Sequence, residues 1–311
     1  MSLTGYFAHL DFVSQLKSEL HSIEAQYDRL FICSGPLQES IWAQNIWLNP
    51  RWIPFDSIKD AAKKLTEIQR NWSPYGVDHF RRLELISNNL PYISNKRLNY
   101  LAPHPKHPLG AFSLIEPNLL IASPATSSPW PHGAMEFEED KTSPPSRAYL
   151  KLWDLFTRYP VYPKPGEVCL DLGASPGGWT WVLTKLGAKV IAIDRAELSP
   201  SLMKDPNIHF KQGDAFKVSP EMFPETRWIF SDLICYPDKL YEFISIWLAD
   251  STPRNFVCTV KLQGDQHYDW LERFKNIPNS KLIHLYHNKH EITWILLQER
   301  NLISDSEALK I

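Results

Sequence analysis

The run Asp171-Leu172-Gly173-Ala174-Ser175-Pro176-Gly177-Gly178-Trp179-Thr180 follows the apolar segment Val168-Cys169-Leu170 and precedes a helical pattern that reaches Leu186. A strand, a glycine-rich turn and a helix in that order restrict the fold to an α/β type in which the turn faces a ligand. Gly173 lets the chain leave the strand sharply, while Gly177 and Gly178 let backbone N–H groups come close to a ligand at a helix N-terminus. The glycine spacing is not that of a dinucleotide loop, and no Gly-Lys-Ser/Thr succeeds it as in a P-loop. A turn of this kind can also be purely structural, so residues downstream must decide.

Ala188 to Asp194 reads as a short apolar strand ending in an acid about 20 residues past the loop, where nucleotide-binding folds place a ribose-binding carboxylate. Ile208 to Asp214 and Trp228 to Asp232 give two further strands closed by acids. Asp171, Asp194, Asp214 and Asp232 thus stand at successive strand ends, which in an open parallel sheet border one crevice. This favours a nucleotide-like cofactor, and the loop spacing leaves S-adenosylmethionine as the leading one.

Strands are expected at Val168 to Leu172, Lys189 to Asp194, Ile208 to Gln212, Arg227 to Leu233 and Phe256 to Leu262. Helical patterns separate them, including Asp238 to Ala249 and His267 to Lys275. Lys281 to Tyr286 and Glu291 to Leu297 lie too close together for a crossover helix, so they must form an antiparallel hairpin. The fold class is α/β, a Rossmann-like class I methyltransferase sheet ending in a hairpin.

Upstream the chain reads differently. Gly5 to Leu10 and Arg29 to Cys33 look like strands flanking a helical Phe12 to Ile23, and Ile58 to Arg70 is a helix with an Asp56-Ser57 start signal. This β-α-β order suggests a small α+β, ferredoxin-like domain over residues 1–102. Prolines crowd 103–145, which reads as an interdomain connection; the methyltransferase domain then covers 146–298, with a tail at 299–311. With 311 residues, 43% apolar, the chain is large enough for two cored domains. A formal net charge of −2 gives no global basic field, so any nucleic-acid partner must be met by a local patch. Phe80-Arg81-Arg82, Lys96-Arg97 and Lys106-His107, with Tyr75, Tyr92 and Tyr100, are the candidates. The four cysteines, without a Cys-x-x-Cys pair, suit a reduced cytoplasmic setting, and no apolar run suggests a membrane partner. His284, His287 and His290 would fall on different faces of a strand, which argues against a metal.

The residues just past the fourth strand bear on the methyl acceptor. Asp232-Leu233-Ile234-Cys235 is not the Asn/Asp-Pro-Pro-aromatic turn that braces an exocyclic amine, and Cys235 and Cys258 read as small buried hydrophobes rather than nucleophiles. A hydroxyl must lose its proton as it attacks, and a lysine with a pKa lowered by burial and a nearby cation can take it. Lys151, Asp232, Lys261 and Glu291 would converge over the crevice and supply that chemistry.

Gly173 to Trp179 and the order Lys151, Asp232, Lys261, Glu291 resemble the hallmarks of the FtsJ-like ribose 2'-O-methyltransferases, in particular the bacterial group that methylates a cytidine of large-subunit (23S) ribosomal RNA at the peptidyl transferase centre. Pro145-Ser146-Arg147-Ala148-Tyr149-Leu150-Lys151-Leu152, Ser201-Leu202-Met203, Leu285-Tyr286-His287 and Glu291-Ile292-Thr293 carry the same resemblance. It implies S-adenosylmethionine as cofactor and RNA, ribosomal rather than DNA, as partner. Lys261 would be the base, Asp232 and Lys151 would tune and position it, and Glu291 would orient it or the acceptor. Asp171, Gly173, Ser175, Pro176, Gly177, Gly178, Trp179 and Asp232 would border the cofactor, with Asp194 at its ribose and Asp214 at its adenine. The resemblance also implies a THUMP domain after the ferredoxin-like one, and about 145 residues suit only one of them. A small-molecule O-methyltransferase, or a noncatalytic RNA-binding relative, are the alternatives; the first needs no such tetrad, and the second would have lost some of these residues.

Overall fold

A computed structural model describes residues 2–94, 96–262 and 268–298. The chain divides into two compact units, one made of residues 2–98 and 102–136 and the other of residues 99–101 and 137–298 among those described. The expected tail at 299–311 lies outside the described residues. No helix among the described residues is long and apolar enough to cross a membrane.

The first unit contains β1 (Leu3–Ala8), α1 (Val13–Glu19), β2 (Ile23–Tyr27), β3 (Leu30–Ser34), β4 (Ala43–Leu48), β5 (Arg51–Pro54), α2 (Ile58–Ile68), β6 (Trp72–Tyr75), α3 (Phe80–Ser87), β7 (Gly110–Glu116), β8 (Leu119–Ser123) and β9 (Ala125–Thr126). They form a five-stranded sheet, β2-β3-β1-β4-β9, and a four-stranded sheet, β5-β8-β7-β6. Helix α2 starts where expected, with the Ser57 side chain accepting from Asp60 N–H, a cap worth ~1 kcal/mol. Its Ala61 and Leu65 join Leu83 and Ile86 of α3 over Phe112, Leu114, Leu120 and Ala122 of the smaller sheet.

One expectation is met in part in this unit, and another fails. The order β2-β3-β1-β4, with β1 antiparallel to both β3 and β4, is that of a ferredoxin-like sheet, although no helix stands between β3 and β4. The helix expected over Phe12 to Ile23 ends at Glu19, and Ile23–Tyr27 is instead strand β2, which the tight turn at Asp28-Arg29, with Asp28 at φ 52°, folds into a hairpin with β3. The presumed connection 103–145 holds the paired strands β7 and β8, whose Phe112, Leu114 and Leu120 are fully buried. Pro108, Pro117 and Pro124 fall at the strand ends and the turn, where a missing N–H costs no ladder bond. Two of the three candidate stacking tyrosines are also unavailable. Tyr75 is buried against Phe7 and bonded to Asp28, and Tyr100, in the second unit, stacks on Trp153; Tyr92 alone is exposed.

The second unit agrees closely with the sequence: α4 (Tyr149–Arg158), β10 (Val168–Leu172), α5 (Gly178–Lys185), β11 (Lys189–Asp194), β12 (Ile208–Gln212), β13 (Trp228–Ser231), α6 (Pro237–Ala249), β14 (Asn255–Lys261), α7 (Tyr268–Lys275), β15 (Ser280–Ile283) and β16 (Glu291–Leu296). The seven-stranded sheet has the order β12-β11-β10-β13-β14-β16-β15. Its first five strands are parallel, and β16 enters antiparallel between β14 and β15. This is the class I methyltransferase layout. The chain order reverses direction across the sheet between β10 and β13, which opens a crevice beyond their carboxyl ends.

Candidate active site

The glycine loop follows β10 and lies at that crevice. Gly173 turns at φ 73° and Gly177 at φ 112°, conformations that disfavour a side chain. A Cβ on Gly177 would lie 2.2 Å from Leu202 Cδ1, and one on Gly178 would lie 2.4 Å from Ser146 Oγ, so both glycines also serve close packing. The Ser175–Pro176 peptide is cis. Ser175 N–H donates to Asp194 Oδ2 at 3.0 Å, and Ser175 Oγ donates to the Glu197 carbonyl. The first bond within α5 runs from Trp181 N–H to the Gly177 carbonyl, so the N–H groups of Gly178, Trp179 and Thr180 form the helix's amino end.

The acids at the strand ends take separate places. Asp194 ends β11, and its two oxygens each accept one backbone N–H, from Ser175 and Ala196. A carboxylate has about four lone-pair directions, so it retains acceptor capacity for a vicinal diol. Asp171 is the penultimate residue of β10 rather than its tip; it is buried, and Oδ2 accepts from Thr180 Oγ1 at 2.6 Å. Burial raises its pKa to about 7, with Asp232 and Asp194 adding to the rise and the Thr180 bond opposing it. Asp214 lies beyond β12, accepts Phe216 N–H and pairs with Arg195 at 2.9 Å, interactions that lower its pKa. Trp179 is buried, with Nε1 donating to the Ala148 carbonyl just ahead of α4.

Four distant segments converge beside this loop. Lys151 from α4, Asp232 after β13, Lys261 at the end of β14 and Glu291 at the start of β16 close a ring of alternating charge. Lys151 Nζ stands 2.9 Å from Asp232 Oδ2 and 2.5 Å from Glu291 Oε1; Lys261 Nζ stands 2.6 Å from Asp232 Oδ1 and is bonded to Glu291 Oε2. Register explains half of the ring, because Lys261 and Glu291 face each other across the β14–β16 ladder. Side-chain exposures of 8–18% mean that each charge is largely desolvated and would be costly without its partners.

The ring corrects one expectation. Burial by itself lowers the Lys261 pKa, but Asp232 and Glu291 together outweigh it, and the net shift is upward. Lys261 is therefore held as a cation here, not as a free base. Burial likewise opposes the charge on Asp232, and Lys261 and Lys151 overcome it to lower that pKa. Thr259, absent from the sequence-based set, donates from Oγ1 to Asp232 Oδ1 at 2.8 Å. Its position two residues before Lys261 on the same strand face was the available signal. Cys258 is fully buried, and burial raises the Cys235 thiol to about 11, so neither is poised as a thiolate.

Comparison with known proteins places the same part of the chain. Residues 144–264 match the FtsJ-like methyltransferase family. Among curated proteins, ribosomal RNA large subunit methyltransferase M of Methylococcus capsulatus is 30% identical over 188 residues, covering 56% of this chain and 53% of that protein. The protein of the same name from Xylella fastidiosa is 33% identical over 207 residues, covering 61% and 58%. The one from Xanthomonas oryzae is 28% identical over 253 residues, covering 77% and 69%. The chain thus spans about half the length of the first of these relatives. On this match the second unit is similar to the FtsJ-like methyltransferases.

Proposed function

We propose that this FtsJ-like domain moves a methyl group from S-adenosylmethionine to a ribose 2'-hydroxyl of large-subunit ribosomal RNA. The observation that carries the reading is the closed Lys151–Asp232–Lys261–Glu291 ring beside the glycine loop. The names of the relatives support ribosomal RNA as substrate, and a cytoplasmic setting, where that RNA is found, fits the four free cysteines.

The cofactor fits the residues present. Asp194 keeps acceptor capacity for a ribose diol, and the amino end of α5 suits a carboxylate. Asp214 would meet the adenine, with its carboxylate held ionised by the Phe216 N–H and Arg195. Asp171 supports the loop from below through Thr180. When bound, the cofactor supplies a methyl carbon on a sulfonium, open to in-line displacement.

The chain's own residues deal with the acceptor. As the O2'–CH3 bond forms and the S–CH3 bond breaks, the 2'-hydroxyl proton passes to the neutral amine of Lys261. Asp232 and Glu291 hold that amine on two sides, so its lone pair has a fixed direction. Lys151 competes for both carboxylates, which limits the rise they impose on the Lys261 pKa. Thr259 keeps Asp232 Oδ1 in place.

The test is transfer of tritiated methyl to large-subunit RNA from cells lacking the gene. Lys261→Ala should bind the cofactor as the wild type does and transfer nothing measurable. Unchanged transfer by that variant would sink the mechanism.

A further inference from the structure

The ring closes only if α4 and the start of β16 are held in one register, and no strand ladder among the described residues joins the two. Lys151 sits on α4, whereas Glu291 opens β16 directly after residues 284–290, a stretch outside every ladder. A hydrogen-bonded connection between them is made by Asp154, one helical turn beyond Lys151. Its side chain is completely buried; Oδ1 accepts from Arg158 Nε at 2.8 Å, and Oδ2 accepts from the backbone N–H of Tyr286 at 2.8 Å. The same segment is steadied nearby. His287 stacks on Phe137, which packs edge-on against Trp153 of α4, and the side chains of Asn288 and Thr293 exchange hydrogen bonds.

We propose that Asp154 is a positioning residue of the tetrad, fastening the helix that carries Lys151 to the segment that delivers Glu291. The inference rests on the methyltransferase reading of the ring. A buried ion pair is a poor source of stability compared with apolar side chains of similar volume, and its best-attested use is to fix register. Here the carboxylate does what an apolar residue cannot: it accepts a backbone N–H from the segment leading to Glu291 while it is locked to its own helix. With Asp154 in place, Glu291 Oε1 meets Lys151; without it, the segment shifts and the ring opens at that edge.

The double variant Asp154→Leu/Arg158→Met removes both charges at similar volume. Its expected behaviour is a modestly lower Tm, because Tyr286 N–H loses this acceptor while the desolvation cost of the ion pair is removed, with an unchanged cofactor Kd and a kcat at least tenfold lower with a smaller change in KM for RNA. A crystal structure of the same variant should show Lys151 and Glu291 out of contact. Wild-type kcat in the folded variant, or an intact Lys151–Glu291 contact, would overturn the proposal. If the double variant does not fold, Asp154→Asn and Asp154→Ala decide: Asn keeps an oxygen for Tyr286 N–H and should retain severalfold more kcat than Ala, and equal rates would refute it. Absence of transfer by the wild type on every RNA tried would refute the methyltransferase reading instead, leaving the crystallographic comparison to judge Asp154.

Discussion

The glycine loop and the charged ring share the carboxyl edge of one sheet and are assembled in contrasting ways. The loop is set by its own backbone: the residues from Asp171 to Thr180 are shaped by positive-φ glycines and steadied by bonds to Asp194, Glu197 and Ala148. The ring is set by side chains from four segments, and the hydrogen bonds among its members join residues 29, 30 and 81 positions apart. Its members have no shape of their own until β13, β14, β16 and α4 are packed. The contrast predicts separable failures: damage to the loop should cost donor binding, and damage to the ring should cost chemistry with the donor still bound.

After the complete loss expected at Lys261→Ala, the largest separation is expected at Lys151→Ala. It removes the cation that balances Asp232 and Glu291, so methyl transfer should fall ~100- to 1,000-fold, in the range for a group acting with a general base. Cofactor affinity, measured by calorimetry, should stay within about twofold, because Lys151 bonds to the ring and not to the loop. A parallel loss of affinity would erase the distinction.

Next in size is Gly177→Ala, which puts a Cβ against Leu202 at φ 112° and costs ~1–3 kcal/mol of strain. Cofactor binding should weaken ~10- to 100-fold with a lower Tm, while the rate at saturating cofactor holds. Asp194→Ala should come after it, with ~10-fold weaker binding, since it deletes the loop's anchor and the proposed diol acceptor together.

The pH profile sharpens the ring's side of the comparison. Because Asp232 and Glu291 outweigh burial and hold Lys261 cationic, single-turnover transfer should rise with pH, with a slope near one in a log plot between about pH 7 and 9. A flat profile would remove Lys261 as base. The same raised pKa contributes stability that is fully present below the unfolded lysine value of ~10.4 and is lost as pH rises through the folded value. Asp232, with a lowered pKa, contributes stability present above ~3.9 and lost as pH falls through its folded value. The smallest effect should be Thr259→Val, a fall of about threefold to tenfold in kcat from the loss of one hydrogen bond to Asp232.

The same contrast explains how much could be read from the chain alone. Strands β10 to β14 were legible because each is a short apolar run bounded by turns and separated by a helix or a long excursion, and the closing hairpin was dictated by chain length. The tetrad's members were legible only through that topology. Their charge states were not, because the Lys261 pKa depends on carboxylates from two other segments. The first unit was least legible. Its strands pair mostly antiparallel through tight turns, a pairing that local pattern does not specify, and the proline-rich stretch concealed β7 and β8 because its prolines sit at the strand ends. Thr259 and Asp154 were missed for a further reason: a lone threonine or aspartate acquires meaning only from the group it bonds.

The central claim is that the ring accepts the proton of a ribose hydroxyl. Nucleoside mass spectrometry of large-subunit RNA methylated by the purified protein tests it most directly. A 2'-O-methylated nucleoside, formed by the wild type and absent with Lys261→Ala, is the predicted result; a methyl group on a base would contradict the account.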